Sequence, residues 1–275
     1  MERTLTPEFA IELKLLLEAI NLKYDFDFRH YSINSMKRTV IQAMDRMGCK
    51  RLSVLQEKVL LDSDCFYDLL QSLTIPVSEM FRDPSYFLSL REKVIPILKT
   101  YPSIKVWVAG CSTGEEVYSL AILLQEEDLL ERTTIYATDI NPRSLEKASR
   151  GVFDLKTTQT FAESYQKSGG KRSLSDYYTP TYNSAKFDST LAKNISFADH
   201  SLVTDSVFSE THLISCRNVL IYFDRELQDR VFGLFHESLC RKCFLGLGSK
   251  ETIQFSQYEQ YFDPFVKKDR IFQKK

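Results

Sequence analysis

From residue 105 onwards, short apolar runs rich in β-branched and aromatic residues alternate with stretches of helical periodicity. The runs read KVWVA, TIYATD, NISFA, HLISC, FLGLG and RIFQK, and helices are predicted at about 114–126, 142–150 and 224–239. Strands that alternate with helices predict a mostly parallel sheet with helices on both faces. Ligands of such α/β sheets bind at the carboxyl ends of the strands, near the switch point in strand order.

The chain before this alternating region is helical and shows no convincing strand pattern. Apolar residues recur at helical spacing in FAIELKLLLEAI, and Pro76 and Pro84 later interrupt the helical pattern. We therefore expect a helical N-terminal domain over residues 1–75, a linker over residues 76–95 and an α/β domain over residues 96–275.

One polar, turn-rich stretch at about residues 153–193 does not fit the alternation of strands and helices. It is dotted with Tyr and Phe, and it contains the pair Gly169-Gly170, which is a hairpin-type turn signal. We expect a small antiparallel β subdomain here, inserted between the second and third main strands.

Charge and hydropathy exclude several classes of protein. The formal net charge is -1 with mixed charges along the chain, which gives no electrostatic case for nucleic-acid binding. No window reaches the roughly 20 apolar residues that span a bilayer, and the N-terminus is amphipathic and acidic, unlike a signal peptide. We expect a cytoplasmic protein without membrane insertion.

The six cysteines are scattered, and a core of this size does not need disulfides, so reduced thiols are expected. Cys240 and Cys243 form a C-x-x-C, but no second C-x-x-C or His pair lies nearby to complete a zinc site. We predict no metal.

The turn after the first predicted strand, KVWVAGCSTGEE at residues 105–116, indicates the kind of ligand. A phosphate-binding loop needs a lysine after its second glycine, and a dinucleotide loop needs G-x-G-x-x-G; here the pattern is G-x-S-x-G-E-E. Carboxylates at a helix start suit the helix dipole but repel a pyrophosphate. They favour a cationic ligand such as S-adenosylmethionine. Asp139, at the end of the second strand, is placed to accept hydrogen bonds from ribose hydroxyls.

The segment LISCRNVLIYFD, residues 213–224, resembles the CheR-type chemotaxis receptor methyltransferases. The resemblance extends to STGEEVYSLA, ATDINPRSLEKASRGVF, SEMFRDPSYF and FADHSLVTD, and covers nearly the whole chain from about residue 10. It implies a Rossmann-like S-adenosylmethionine-dependent methyltransferase domain with a small antiparallel β subdomain inserted, preceded by an all-helical N-terminal domain. The reaction it implies is transfer of a methyl group to glutamate carboxylates of chemoreceptors, giving methyl esters and S-adenosylhomocysteine.

The family motifs can be carried over position by position. In the linker the family reads N-x-T-x-F-F-R and this chain reads PVSEMFR, so Ser78 and Arg82 match whereas Pro76 and Met80 depart. Arg82 is the candidate for orienting the substrate carboxylate, because a guanidinium offers two parallel donors. The resemblance implies that Tyr222 flanks the transferable methyl group. The implied donor-binding residues are Pro76, Ser78, Arg82, Gly110, Glu116, Asp139, Ser201, Leu202, Arg217 and Asn218, with Glu115 as a helix cap.

The resemblance also implies partners. The cationic helical segment with Lys37, Arg38, Arg46 and Lys50 is either a solvated face or a docking surface for the carboxylate-rich coiled coil of a chemoreceptor. The β subdomain can bind a receptor's C-terminal peptide by strand addition. We expect a monomer.

Two other interpretations remain at this stage. Pro76 and Met80 also suit a donor-binding scaffold or sensor that has lost turnover. A methyltransferase for small molecules or nucleic acids is the third interpretation, against which stand the helical N-terminal domain and the lack of an N/D-P-P-Y/F box.

Overall fold

The computed structural model of the protein describes residues 7–74 and 78–275. Two compact units can be distinguished among them. Residues 7–74 and 222–228 form the first unit, and residues 78–221 and 229–275 form the second. The chain thus returns to the first unit for one short segment, which directly follows the motif C-R-N-V-L-I.

The first unit is built from four helices with one apolar face each. In α2, Met36, Val40 and Met44 are buried, whereas Arg38 and Arg46 are exposed. This amphipathic spacing lets the helices share one small core, in which α1 packs on α3 and α4 packs on both α2 and α3. The helices are α1 (Pro7–Tyr24), α2 (Ile33–Arg46), α3 (Leu52–Leu61) and α4 (Ser63–Leu73). No helix within residues 7–74 and 78–275 has the length and apolar character needed to cross a bilayer.

The second unit holds the remaining helices, except that the last helix starts in the 222–228 segment. They are α5 (Pro84–Ser89), α6 (Ile95–Leu98), α7 (Glu115–Glu126), α8 (Pro142–Arg150), α9 (Leu155–Thr160), α10 (Ala162–Lys167), α11 (Ser189–Ala192) and α12 (Arg225–Ser238). A π-helical turn, Leu90–Val94, joins α5 to α6.

The second unit also holds two sheets. Their strands are β1 (Ile104–Ala109), β2 (Thr133–Asp139), β3 (Val152–Asp154), β4 (Tyr178–Thr181), β5 (Ser184–Phe187), β6 (Ile195–Asp199), β7 (Thr211–Cys216), β8 (Leu239–Leu247), β9 (Phe262–Val266) and β10 (Ile271–Lys274).

The larger sheet has the strand order β6-β2-β1-β7-β8-β10-β9. Strands β6, β2, β1, β7 and β8 run parallel, and β10 is antiparallel to β8 and to β9. The predicted Rossmann-like α/β fold is therefore confirmed. The sequence pattern missed β9, whose Pro264 removes a ladder donor and is tolerated because β9 is an edge strand.

The smaller sheet, in the order β3-β5-β4, is antiparallel and confirms the inserted β subdomain. A buried polar network ties this subdomain to the end of α7. The Glu126 carboxylate accepts hydrogen bonds from the Tyr165 hydroxyl at 2.5 Å and the Tyr177 hydroxyl at 2.9 Å. The neighbouring Glu127 carboxylate contacts three cations, Arg91, Lys99 and Lys171, at 2.8–3.0 Å. Burial alone would raise the pKa of Glu127, but the three cations outweigh burial and lower it to about 2.

Candidate active site

The switch point in strand order lies between β1 and β7. From β1 the chain continues to β2 and β6 on one side, and it then crosses to β7 and β8 on the other side. Two loops follow these central strands: residues 110–114, the glycine turn, and residues 217–221, the β7 loop. The crevice at such a switch point is where α/β sheets bind ligands.

The glycine turn packs directly against the β7 loop. Gly110 has a φ of +77°, and the N–H groups of Gly110 and Cys111 both donate to the Thr138 carbonyl at 2.8 Å. A Cβ added to Gly110 would lie 2.5 Å from the nearest methyl carbon of Val219, closer than side chains can pack. The absence of a side chain at Gly110 therefore lets the glycine turn after β1 pack against Val219 of the β7 loop.

Asp139 fixes the glycine turn to the end of β2. Its carboxylate accepts the Ser112 N–H at 2.7 Å and the Asn141 N–H at 2.9 Å, one on each oxygen. Burial raises the pKa of Asp139, and the backbone hydrogen bonds counteract this rise. The ribose contact predicted for Asp139 would use the remaining lone pairs, because each carboxylate oxygen can accept a second bond.

The two glutamates at the start of α7 have different partners. Glu116 accepts the Ser215 hydroxyl at 2.6 Å and an Arg217 N–H at 3.1 Å, so it connects α7 to the end of β7. Glu115 accepts the hydroxyls of Thr113, at 2.7 Å, and of Ser78. Burial raises the pKa of Glu115. Both glutamates therefore position neighbouring segments of the chain.

Arg217 is the most enclosed charge of the site, with 1% of its side chain exposed. Besides Glu116, it binds the Arg82 carbonyl at 2.8 Å and the Asp83 carboxylate at 2.7 Å. Its guanidinium carbon lies 4.2 Å from the centroid of the Tyr86 ring, a cation–π contact. Burial would lower the pKa of Arg217, but the charge of Glu116 and its other partners outweigh burial and raise it. Arg217 thus anchors the turn that carries Arg82 to the end of β7.

The β7 loop depends on Glu251, which the sequence analysis missed. Glu251 accepts the N–H groups of Asn218 at 2.9 Å, Leu220 at 2.8 Å and Gly248 at 2.6 Å. Asn218 has a φ of +61°, in the left-handed region that non-glycine residues rarely adopt. The only available signal was a glutamate shortly after the glycine-containing strand FLGLG.

Ser201 and Leu202 lie directly after β6, at the same edge of the sheet. The Ser201 hydroxyl oxygen accepts the N–H groups of Val203 and Thr204, both at 3.3 Å, as a local turn cap. Leu202 is buried, and its carbonyl accepts an N–H of Arg230 at 2.8 Å. Adenine contacts from these two residues remain a prediction.

The linker residues differ in what they contact. The Arg82 side chain is half-buried, and no carboxylate within residues 7–74 and 78–275 forms an ion pair with it. Met80 is buried. Pro76 lies outside the described residues, so the donor contact proposed for that position has no structural account here.

Tyr222 and the predicted docking residues belong to the first unit. The Tyr222 carbonyl accepts the Ser32 N–H at 2.7 Å. Arg38 and Arg46 line an open groove of about 380 Å³ between α2 and α4, and Arg46 also binds the Asp68 carbonyl at 3.0 Å. Lys37 is half-buried, and Lys50 is exposed beyond the end of α2. Only Arg38 and Arg46 of these four cations line this groove.

The residues at the switch point fit a polar, cationic ligand. The Ser112 hydroxyl oxygen and the Arg217 Nε are buried and have no hydrogen-bond partner among the described residues. Glu115, Glu116 and Asp139 place negative charge around the glycine turn, which suits a sulfonium and an ammonium group. His, Cys, Asp and Glu side chains of the described residues form no group of three or more that could hold a metal ion.

A Rossmann-like sheet with a glycine turn, acidic residues in place of a phosphate loop and an acid at the end of the second strand defines a methyltransferase that uses S-adenosylmethionine. The family model described as the SAM-binding domain of CheR methyltransferases matches residues 76–269. The chain therefore belongs to the CheR methyltransferase family.

Individual relatives support this assignment. The chain is 60% identical to a Pseudomonas putida protein named Cher3, over 96% of this chain and 97% of that protein. It is 27% identical to the chemotaxis protein methyltransferase of Listeria monocytogenes, over 90% of this chain and 92% of that protein. It is also 30% identical to a 104.1 kDa protein of Rhodobacter capsulatus, of which it spans 28%.

Proposed function

We propose that the protein transfers the methyl group of S-adenosylmethionine to glutamate carboxylates of a chemoreceptor. One observation carries this proposal: the buried carboxylates Glu116, Asp139 and Glu251 already accept hydrogen bonds from the protein, whereas the Arg82 guanidinium has no carboxylate partner among the described residues. The site thus offers a cation for an incoming anion rather than a free general base. A substrate glutamate has a reference pKa of about 4.3, so it is already the nucleophile at neutral pH.

The residues of the chain would act mainly by positioning. Bound S-adenosylmethionine supplies an electrophilic methyl group on its sulfonium. Arg82 presents parallel N–H donors that can hold a carboxylate in one orientation, and Arg217 fixes the Arg82 backbone. Positioning of this kind can lower the barrier by several kcal/mol. Tyr222 is proposed to shape the methyl pocket, in keeping with the family resemblance.

The remaining residues of the proposal bind the donor and the receptor. The proposed donor contacts are Pro76, Ser78, Arg82, Gly110, Glu116, Asp139, Ser201, Leu202, Arg217 and Asn218. For the receptor, Arg38 and Arg46 offer a cationic groove to a carboxylate-rich helix, with Lys37 and Lys50 beside them. The relatives named chemotaxis protein methyltransferases support a receptor substrate, whose cytoplasmic part would meet the enzyme in the cytoplasm.

Alkali-labile methylation tests the proposal. Labelled S-adenosylmethionine is supplied with a receptor cytoplasmic fragment, and methanol release in mild alkali is measured. We expect labile label with the wild type, a loss of at least about tenfold with Arg82→Ala, and normal activity with the exposed control Arg241→Ala. Alkali-stable label would show N-methylation and contradict the proposal. Tight S-adenosylhomocysteine binding without transfer to any receptor would favour the scaffold alternative.

A further inference from the structure

Glu251 is a buried carboxylate without any cationic partner among the contacts that the structure gives it. It is 4% exposed, and its partners are backbone N–H groups. Two of them, Asn218 and Gly248, donate to one oxygen, and Leu220 donates to the other. Two of these three donors, Asn218 and Leu220, belong to the β7 loop.

Burying an ionised carboxylate is unfavourable unless hydrogen bonds compensate. The backbone N–H groups of the β7 loop supply such bonds to Glu251. The N–H groups of Asn218 and Leu220 follow the end of β7 and donate to Glu251. Buried N–H groups without an acceptor are also unfavourable, so the anion and the loop stabilise each other. One side chain therefore fixes the β7 loop at two backbone positions, Asn218 and Leu220.

Gly248 completes this arrangement from the end of β8. A Cβ at Gly248 would lie 2.7 Å from the Glu251 carboxylate and 2.8 Å from the Asn218 backbone nitrogen. Only a residue without a side chain lets β8 approach the β7 loop so closely. Gly248 and Glu251 thus hold the same loop whose Val219 packs against Gly110.

We propose that Glu251 is a positioning residue that holds the β7 loop in its donor-binding conformation. This inference rests on the proposed role of Asn218 as a donor contact. Glu251 itself need not touch the donor, since it acts through the backbone of Asn218, including the left-handed φ of +61° at that residue. It gives the G-L-G-S-K-E segment a function that composition and periodicity did not reveal.

The test replaces Glu251 by glutamine, which has nearly the same shape but offers an acceptor on one side only. Either orientation of the amide sets its NH2 group against at least one loop N–H. We expect Glu251→Gln to raise the Kd for S-adenosylhomocysteine at least about tenfold, and Glu251→Asp, which keeps the charge, to recover part of the affinity. The control is Glu259→Gln, because the Glu259 carboxylate accepts one backbone N–H, from Phe255, away from the β7 loop.

Amide hydrogen exchange separates positioning from general stability. In the ligand-free Glu251→Gln protein we expect faster exchange at Asn218, Leu220 and Gly248, with unchanged exchange in β1. A Kd within twofold of the wild type, or acceleration spread equally over the whole sheet, would overturn the proposal. Should Glu251→Gln fail to fold, Gly248→Ala crowds the same loop with Glu251 intact and is expected to weaken binding similarly.

Asn218→Ala keeps this inference distinct from the proposed receptor reaction. We expect it to weaken S-adenosylhomocysteine binding as Glu251→Gln does. Unchanged binding would break the link between the loop and the donor, and so overturn the inference. Methylation of receptor glutamates is scored separately, by methanol release from the receptor fragment, and its outcome does not enter these binding measurements.

Discussion

Replacing Arg217 by methionine tests the central charge network of the site. Methionine keeps an unbranched chain in the pocket but removes the hydrogen bonds to Glu116, to Asp83 and to the Arg82 carbonyl. The stacking on Tyr86 is lost as well. Glu116 then stays buried with only the Ser215 hydroxyl as a polar partner from this network.

The magnitude follows from burial. Arg217 is 1% exposed and Glu116 13% exposed, so this pair behaves as a buried ion pair, whereas Asp83 is 37% exposed and contributes little. Removing one partner of a buried pair typically costs about 3–5 kcal/mol because the other charge is left uncompensated. In a unit of this size, each kcal/mol corresponds to roughly 2–4 °C in the melting temperature. We therefore expect Arg217→Met to lower the melting temperature of the second unit by about 6 to 20 °C.

The assay can be confined to the second unit, because the chain has one tryptophan, Trp107, and it is fully buried in β1. Thermal unfolding is followed by Trp107 fluorescence for the wild type, Arg217→Met, Glu116→Gln and the double variant. The double variant should be more stable than the sum of the single losses predicts, by about 1–3 kcal/mol, because it no longer buries a lone charge. A decrease under about 3 °C for Arg217→Met, or strictly additive losses, would refute the reasoning.

Three further predictions concern separate parts of the molecule. Gly110→Ala should destabilise the fold and weaken S-adenosylhomocysteine binding, and Val219→Ala in the same chain should restore part of both, since it removes the clashing methyl group; no recovery in calorimetry would contradict the proposed packing. The folded-state pKa of Glu127, about 2, lies below its unfolded value, so the stability that its charge contributes is complete above pH 4.5 and is lost as pH falls towards 2. In thermal melts at a series of pH values, Glu127→Gln should therefore reduce the fall in melting temperature between pH 4.5 and 2. Arg46→Glu should slow receptor methylation in low salt without changing donor binding, whereas Lys50→Glu, outside the groove, should slow it less.

The fold was predictable because its signals are local. The central strand β1 and the second half of β8 are continuous apolar runs, as expected for strands covered by helices on both faces, whereas β6 at the edge of the sheet is more exposed. The strand that escaped prediction, β9, carries Pro264 at the edge of the sheet. In the small sheet, the predicted hairpin turn at Gly169-Gly170 was wrong, because this pair follows the end of α10, whereas the β4–β5 hairpin turns at Tyr182 and Asn183.

The site was predictable in its position but not in its contacts. Gly110 and Asp139 mark the ends of β1 and β2, and periodicity alone places these ends together. The partners of each carboxylate come from distant parts of the chain: Glu116 binds Arg217, 101 positions later, and Glu251 binds Asn218, 33 positions earlier. A single sequence does not show which lone pairs the fold already uses, and Glu251 has no side-chain partner that a charge pattern would reveal.

The acidic residues of the site have two roles that the sequence alone does not separate: they order the surrounding loops, and they supply negative charge to the ligand site. Asp139 and Glu251 each order a backbone loop, and Glu116 holds Arg217, so their first task is to shape the crevice. Their charge remains, because backbone N–H groups solvate a carboxylate without neutralising it, and Arg217 compensates only part of the total. A pyrophosphate placed here would face several carboxylates at low dielectric, whereas a sulfonium ligand would be attracted. The same carboxylates that order the glycine turn and the β7 loop therefore also favour, through their charge, a cationic methyl donor over a phosphorylated cofactor.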